Sequence, residues 1–135
     1  MKKSILSFVA MMICATSVYS QGLGEFKASD AFKSYLKRPK NELSKLIYLL
    51  DRFNAPGVEI KLDGNIYTTD KAFPYSKGYL SKNYKKEKAE DWIRAHCYRS
   101  REKNDVLYMR VGDEKFEPVR DVLIRELGQL RTSEK

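Results

Sequence analysis

Residues 41–135 predict a single α+β domain, a small mostly antiparallel sheet (a hairpin plus a third strand) covered by about four helices. Three observations carry this. Apolar residues recur at helical spacing up to Phe53, alternate at strand spacing from Val58, and return to helical spacing from Ala89. Asp63-Gly64 lies between two alternating runs, where a tight hairpin turn needs positive φ angles. The chain beyond residue 20, about 115 residues, matches the usual length of one domain.

Each element has its own signal. Residues 21–40 read as an N-terminal extension. Within it Ser29 caps a short helix, Ala28, Phe32, Tyr35 and Leu36 share a face, and Pro39 ends the segment. Asn41 caps the next helix, whose stripe is Leu43, Leu46, Ile47, Leu50 and Phe53. Asn54-Ala55-Pro56-Gly57 stops it. Val58, Ile60 and Leu62 then alternate with Glu59 and Lys61, and Asn65-Ile66-Tyr67 returns as the second strand. Thr68 or Thr69 caps the segment after this strand. Asp70–Phe73 reads as a turn, with a helix from about Pro74, because proline suits a first helical position. Ala89, Trp92, Ile93, His96 and Cys97 form the stripe of another helix. Arg99 to Asn104 is a polar loop and Val106 to Val111 a strand, with Leu107, Met109 and Val111 on one face. Pro118 opens the last helix, with Val119, Val122, Leu123, Leu127 and Leu130 inward.

Residues 1–20 read as a secretory signal peptide. Lys2 and Lys3 form the basic start, Ile5 to Ala15 the apolar stretch, and Val18-Tyr19-Ser20 the cleavage site before Gln21. The apolar stretch is 11 residues, against the roughly 20 that span a bilayer. Ile13 stands where a lipobox needs a small residue, so Cys14 is not read as a lipid anchor. The expected location is therefore exported, periplasmic or secreted. Without the leader, 24 basic side chains face 18 acidic ones. A basic exported protein is drawn to anionic surfaces, although a basic surface with no dedicated partner has the same composition.

No catalytic set assembles from spacing. Cys97 is the one thiol left after the leader, so no internal disulfide is expected. His96 is its neighbour and the chain's single histidine, and successive helical residues diverge by about 100°. Both fall on the Trp92/Ile93 stripe, where a core thiol is the plain reading. One His and one Cys without paired spacing do not make a zinc site, and no metal or cofactor is expected. Tyrosines and cations do interleave. Tyr75, Tyr79, Lys82, Tyr84, Lys85, Lys86, Lys88, Arg99 and Arg101 are the candidate interaction surface. In the cytoplasm that pattern suits single-stranded nucleic acid, but the leader argues against it. An acidic protein or an anionic envelope ligand fits better, and tyrosines covering the core edge remain the plain alternative.

The order of short motifs resembles the YfeK-like family of small, signal-peptide-bearing bacterial proteins, a domain family of unknown function. The motifs are Leu46-Ile47-Tyr48-Leu49-Leu50, Gly64 with Tyr67, Ala72, Ala89-Glu90-Asp91-Trp92-Ile93, Ser100, Tyr108 and the leucine-rich close at 118–131. Tyr75-Ser76, Arg99-Ser100 and Pro56-Gly57 depart from the family pattern, at positions where it often has His-Leu, a double serine and a small residue or Cys. The resemblance implies export, a single α+β domain and a bacterial source. It implies no activity.

The function these readings predict is a non-enzymatic periplasmic binding module, for instance of inhibitor or immunity type, using a basic, Tyr-rich surface. The alternatives are an envelope enzyme assembled from distant residues, with His96, Ser100 and Tyr67 as its best candidates, and a binder of an anionic envelope ligand. Export itself is directly testable. Mass spectrometry of the protein made in a Gram-negative host should give an N-terminus at Gln21; an intact Met1 or a lipid-modified Cys14 contradicts the leader.

Overall fold

The computed structural model describes residues 23–134. The leader read over 1–20 and its Cys14 lie outside the described residues. Ser29 Oγ accepts the Phe32 N–H at 3.1 Å and caps α1 (Asp30–Leu36). Asn41 Oδ1 does the same for the Ser44 N–H at 2.8 Å, opening α2 (Glu42–Phe53). β1 (Val58–Leu62) and β2 (Asn65–Thr68) form the hairpin. Asp63 and Gly64 turn it at φ 51° and 87°, the positive pair a primed turn requires.

α3 (Thr69–Asn83) departs from expectation. It starts directly from β2, so Pro74 sits inside it, where proline removes one helical hydrogen bond and crowds the preceding turn. The predicted turn over Asp70–Phe73 is instead helix. Contacts outside the helix outweigh propensity here: Thr69 Oγ1 donates to the Ala55 carbonyl at 3.3 Å, and Ala72 and Phe73 are half-buried. α4 (Ala89–His96) buries Ala89, Trp92 and Ile93 as its stripe predicts. Its N-cap, Lys88, has no side-chain acceptor. Glu42 of α2 supplies one, taking the Ala89 N–H on Oε1 at 2.8 Å. The Lys45 ammonium first, and that N–H second, hold the Glu42 carboxyl below its ordinary pKa.

β3 (Tyr108–Val111) is shorter than the predicted strand; Val106 forms only an isolated bridge to Arg99. β4 (Glu117–Pro118) is an addition, because two residues carry no legible period. α5 (Val119–Ser133) follows it without a break. The architecture is thus α+β, with four antiparallel strands rather than three; residues 41–135 carry the four expected helices, and α1 lies in the segment before them.

The strand order is β2-β1-β3-β4. Opposed residues of antiparallel strands share a face, so the register Ile60↔Tyr67 and Ile60↔Met109 places Val58, Ile60 and Met109 together. Val58 and Met109 are buried against the helices. Glu59, Lys61, Tyr108 and Arg110 share the opposite face, outside the buried core. There Arg110 Nε donates to Glu59 Oε1 at 2.8 Å. The Arg110 guanidinium and the Lys61 ammonium lie 4.6 and 5.7 Å from the centre of the Phe116 ring.

The core is not purely apolar at its centre. α2 buries Tyr48, Leu49 and Arg52 as well as Leu46 and Phe53, a wider face than its apolar stripe predicts. Tyr48 Oη donates to Glu126 Oε2 of α5 at 2.7 Å, and Arg52 Nε donates to the same oxygen at 3.1 Å. The other two Arg52 nitrogens donate to the carbonyls of Leu23 and Gly24 at 3.2 and 2.8 Å. The segment read as an extension is tied down in this way. α1 adds Tyr35, fully buried, whose hydroxyl donates to Glu134 at 2.8 Å and whose ring lies 5.8 Å from that of Tyr48. Burial first, and the neighbouring carboxylate second, push both tyrosine hydroxyls well above their usual pKa.

Removing one member of a buried ion pair strands the other, which costs about 3–5 kcal/mol, whereas replacing both with packed apolar groups costs far less. Glu126→Ala should lose stability of that order in urea unfolding. The triple variant Tyr48→Phe/Arg52→Met/Glu126→Leu, which also removes the hydroxyl bonded to Glu126, should recover much of it. Equal losses in the two variants contradict the coupling.

Candidate interaction surface

The predicted tyrosines and cations fall into two groups. Tyr75, Tyr79 and Lys82 follow at i, i+4 and i+7 on α3 and therefore share a face. Tyr75 is 71% exposed. Tyr79 is half-buried, with its hydroxyl 3.0 Å from His96 Nδ1 and its ring edge-on to Trp92 at 6.1 Å. His96 lies over Trp92 with ring centres 4.7 Å apart, and the Arg101 guanidinium sits 5.5 Å from the Tyr79 ring. The end of α4 and the loop after it thus reach back onto α3. Trp92 anchors them from the core.

Beside this cluster the α3–α4 connection carries Lys85, Lys86 and Lys88. With Lys82 they are exposed, and none makes an ion pair among the described residues. Lys86 adopts φ 70° where the chain turns. The Lys85 N–H donates to Glu87 Oε1 at 2.6 Å, and backbone N–H groups hold the Glu87 carboxyl below its ordinary pKa.

Lysine and arginine divide their roles. Seven of the nine arginines, at 38, 52, 94, 110, 120, 125 and 131, pair with carboxylates. The remaining two, Arg99 and Arg101, lie over Tyr98 and Tyr79. Only Lys40 and Lys45 among the described lysines are paired. The planar guanidinium suits fixed pairing and stacking; the hydrated ammonium stays in solvent.

Two of the predicted surface residues are engaged within the chain: Tyr84 half-buried, Arg99 exposed. Tyr84 donates to the Glu87 carbonyl at 3.0 Å and has its hydroxyl pKa raised chiefly by burial. Arg99 donates to the Asn104 carbonyl at 2.9 Å and shares the Tyr98 ring with Arg120. The motif residues are mostly architectural. Ala89, Trp92 and Ile93 are core; Gly64 turns the hairpin; Ala72 is half-buried; Tyr67 is exposed on β2; Tyr108 lies on the uncovered face of the sheet. Ser100 is buried. Its hydroxyl donates to Asp63 at 2.6 Å and accepts the Lys103 and Asp105 N–H groups at 3.3 Å each. It latches the loop to the hairpin tip. His96 has Tyr79 for a partner, so no hydrogen bond joins His96, Ser100 and Tyr67 among the described residues.

Among the described residues no three His, Cys, Asp or Glu side chains are placed to hold a metal ion, and no helix is long and apolar enough to cross a membrane. A cleft between α2, β3 and α5, containing Arg52 and Glu126, had no sequence signal. Its walls come from segments more than 70 positions apart. Comparison with family models, with curated proteins and with solved structures finds no match.

Cys97 is unpaired and half-buried, packed against the core rather than inside it; it ends α4 with its N–H on the Ile93 carbonyl at 2.9 Å, and burial pushes its thiol up to about 12. Burial therefore disfavours the thiolate, the reactive form. Reaction of the native protein with a bulky disulfide reagent at pH 8 should be slower by orders of magnitude than in denaturant. Comparable rates contradict the shielding of the thiol.

Proposed function

We propose that this chain is a non-enzymatic binding protein of the bacterial cell envelope that grips an acidic protein partner, in the manner of an inhibitor or immunity protein. The N-terminal leader and the resemblance to YfeK-like proteins support the location. The observation that carries the reading is the corner where α3 meets α4. Four solvated, unpaired ammonium groups at Lys82, Lys85, Lys86 and Lys88 adjoin the fixed Tyr79–His96–Trp92 cluster with Arg101 stacked on it.

Each half has a physical role. Free ammonium groups carry a long-range field that speeds encounter with an acidic surface and fixes orientation. Tyr75 and Tyr79 offer amphipathic contact area at low entropic cost, since a tyrosine has few torsions to immobilise. A catalytic reading would need a nucleophile and a base within reach of each other; His96 is bonded to a tyrosine, and burial disfavours the Cys97 thiolate.

Affinity should fall with salt, because exposed charges are screened beyond about 8 Å at physiological ionic strength. The protein should be retained on immobilised polyglutamate and elute in a salt gradient. Lys85→Glu/Lys86→Glu/Lys88→Glu should elute at lower salt than Lys27→Glu/Lys33→Glu/Lys37→Glu, which carries the same net charge. Coincident elution of the two variants overturns the assignment to the α3–α4 corner. Stronger retention on dextran sulfate than on polyglutamate shifts the partner from an acidic protein to an anionic glycan.

A further inference from the structure

Arginine use in this chain has one exception, and it lies in the basic corner. Eight of the nine arginines donate hydrogen bonds from their guanidinium groups, seven to carboxylates and Arg99 to the Asn104 carbonyl. The Arg101 guanidinium donates to no other group among the described residues, and its sequence neighbour Glu102 forms no ion pair with it. Its planar fork of N–H donors is left to solvent or to a ligand.

This side chain is nevertheless held in place from both ends. The guanidinium lies 5.5 Å from the centre of the Tyr79 ring. That ring is fixed by the 3.0 Å bond between its hydroxyl and His96 Nδ1 and by its edge contact with buried Trp92. The backbone is fixed by Ser100, the residue before. Buried Ser100 bonds Asp63 through its hydroxyl, accepts the Lys103 and Asp105 N–H groups on it, and donates its own N–H to the Asp105 carbonyl at 2.7 Å. The loop carrying Arg101 is thus fastened to the hairpin tip while its guanidinium rests over α3. A guanidinium over an aromatic ring keeps the donors along its edge available.

A pre-placed arginine and solvated lysines recognise anions differently. An ammonium is a hydrated point charge that attracts any of them, whereas a guanidinium fork matches two coplanar oxygens. We propose that Arg101 is the anchor of the basic corner and that it seats a carboxylate of the acidic partner, an aspartate or glutamate side chain taken by both oxygens. This rests on the binding reading above and adds to it which residue discriminates and which group it takes. A single fork satisfies the two oxygens of a carboxylate and leaves the third oxygen of a phosphate unmet; the nearest arginine in sequence, Arg99, is already bonded to Asn104. Because the fork is placed before the partner arrives, little side-chain entropy is lost on binding.

The test compares variants that keep the net charge. Arg101→Lys removes the fork; Arg99→Lys makes the same change at an exposed arginine that is already bonded. On immobilised polyglutamate Arg101→Lys should elute at lower salt than the wild type, and Arg99→Lys should elute with the wild type. The dissociation constant of Arg101→Lys for soluble polyglutamate should rise roughly fivefold, the upper end for an exposed ion pair. Both variants should keep the wild-type melting temperature, since both side chains are exposed. Elution of Arg101→Lys with the wild type, or equal shifts in the two variants, overturns the anchor. The binding reading still stands if Lys85→Glu/Lys86→Glu/Lys88→Glu elutes early, and falls with the anchor if it does not. NMR of the wild type gives a reading without a variant: polyglutamate should move the Arg101 Nε–H resonance, and inorganic phosphate at matched ionic strength should move it less. An unmoved resonance, or a larger shift with phosphate, overturns the carboxylate assignment.

Discussion

The Glu126 carboxylate organises this fold. One oxygen collects the Tyr48 hydroxyl and the Arg52 Nε, joining α5 to α2, while the rest of the Arg52 guanidinium donates to two carbonyls from the chain before α1. Three segments distant in sequence meet at a charge that water does not solvate. Such a charge is tolerable only when its hydrogen bonds are met. The arrangement therefore specifies one packing of α2 against α5 more sharply than apolar contact does. It also leaves the cleft beside it with structured walls.

A similar logic recurs at the joints. The hairpin tip is fastened to the 100–105 loop by Asp63 and Ser100, and the start of α4 is capped by Glu42 from α2. Each joint meets donors that local chain geometry leaves unpaired, and each couples two elements. Together they set the direction of α4, and with it where His96 and Arg101 reach α3. The α3–α4 corner is thus held by contacts well away from its own surface.

Charge use follows from these constraints. Arginines are consumed in pairs and stacks, most at partly exposed positions where a pair contributes at most about 1 kcal/mol. Their role is to define geometry. The lysines of the α3–α4 connection stay solvated and unpaired, the state in which a charge acts at a distance. A basic composition is thereby divided between scaffold and surface.

The α+β class, the hairpin turn, the caps at Ser29 and Asn41 and the Ala89/Trp92/Ile93 stripe were legible in the sequence, because period and turn chemistry are local properties. The helical start at Thr69 was hidden, because a bond to Ala55 and half-buried neighbours outweigh Pro74. β4 was hidden because two residues have no period. The half-burial of Tyr84, and the joining of Arg52 to Glu126 across 74 positions, were likewise decided only in three dimensions. Local sequence sets which conformations each segment prefers. Which charges meet, and which stay in water, depends on desolvation, and that exists only once the segments have packed.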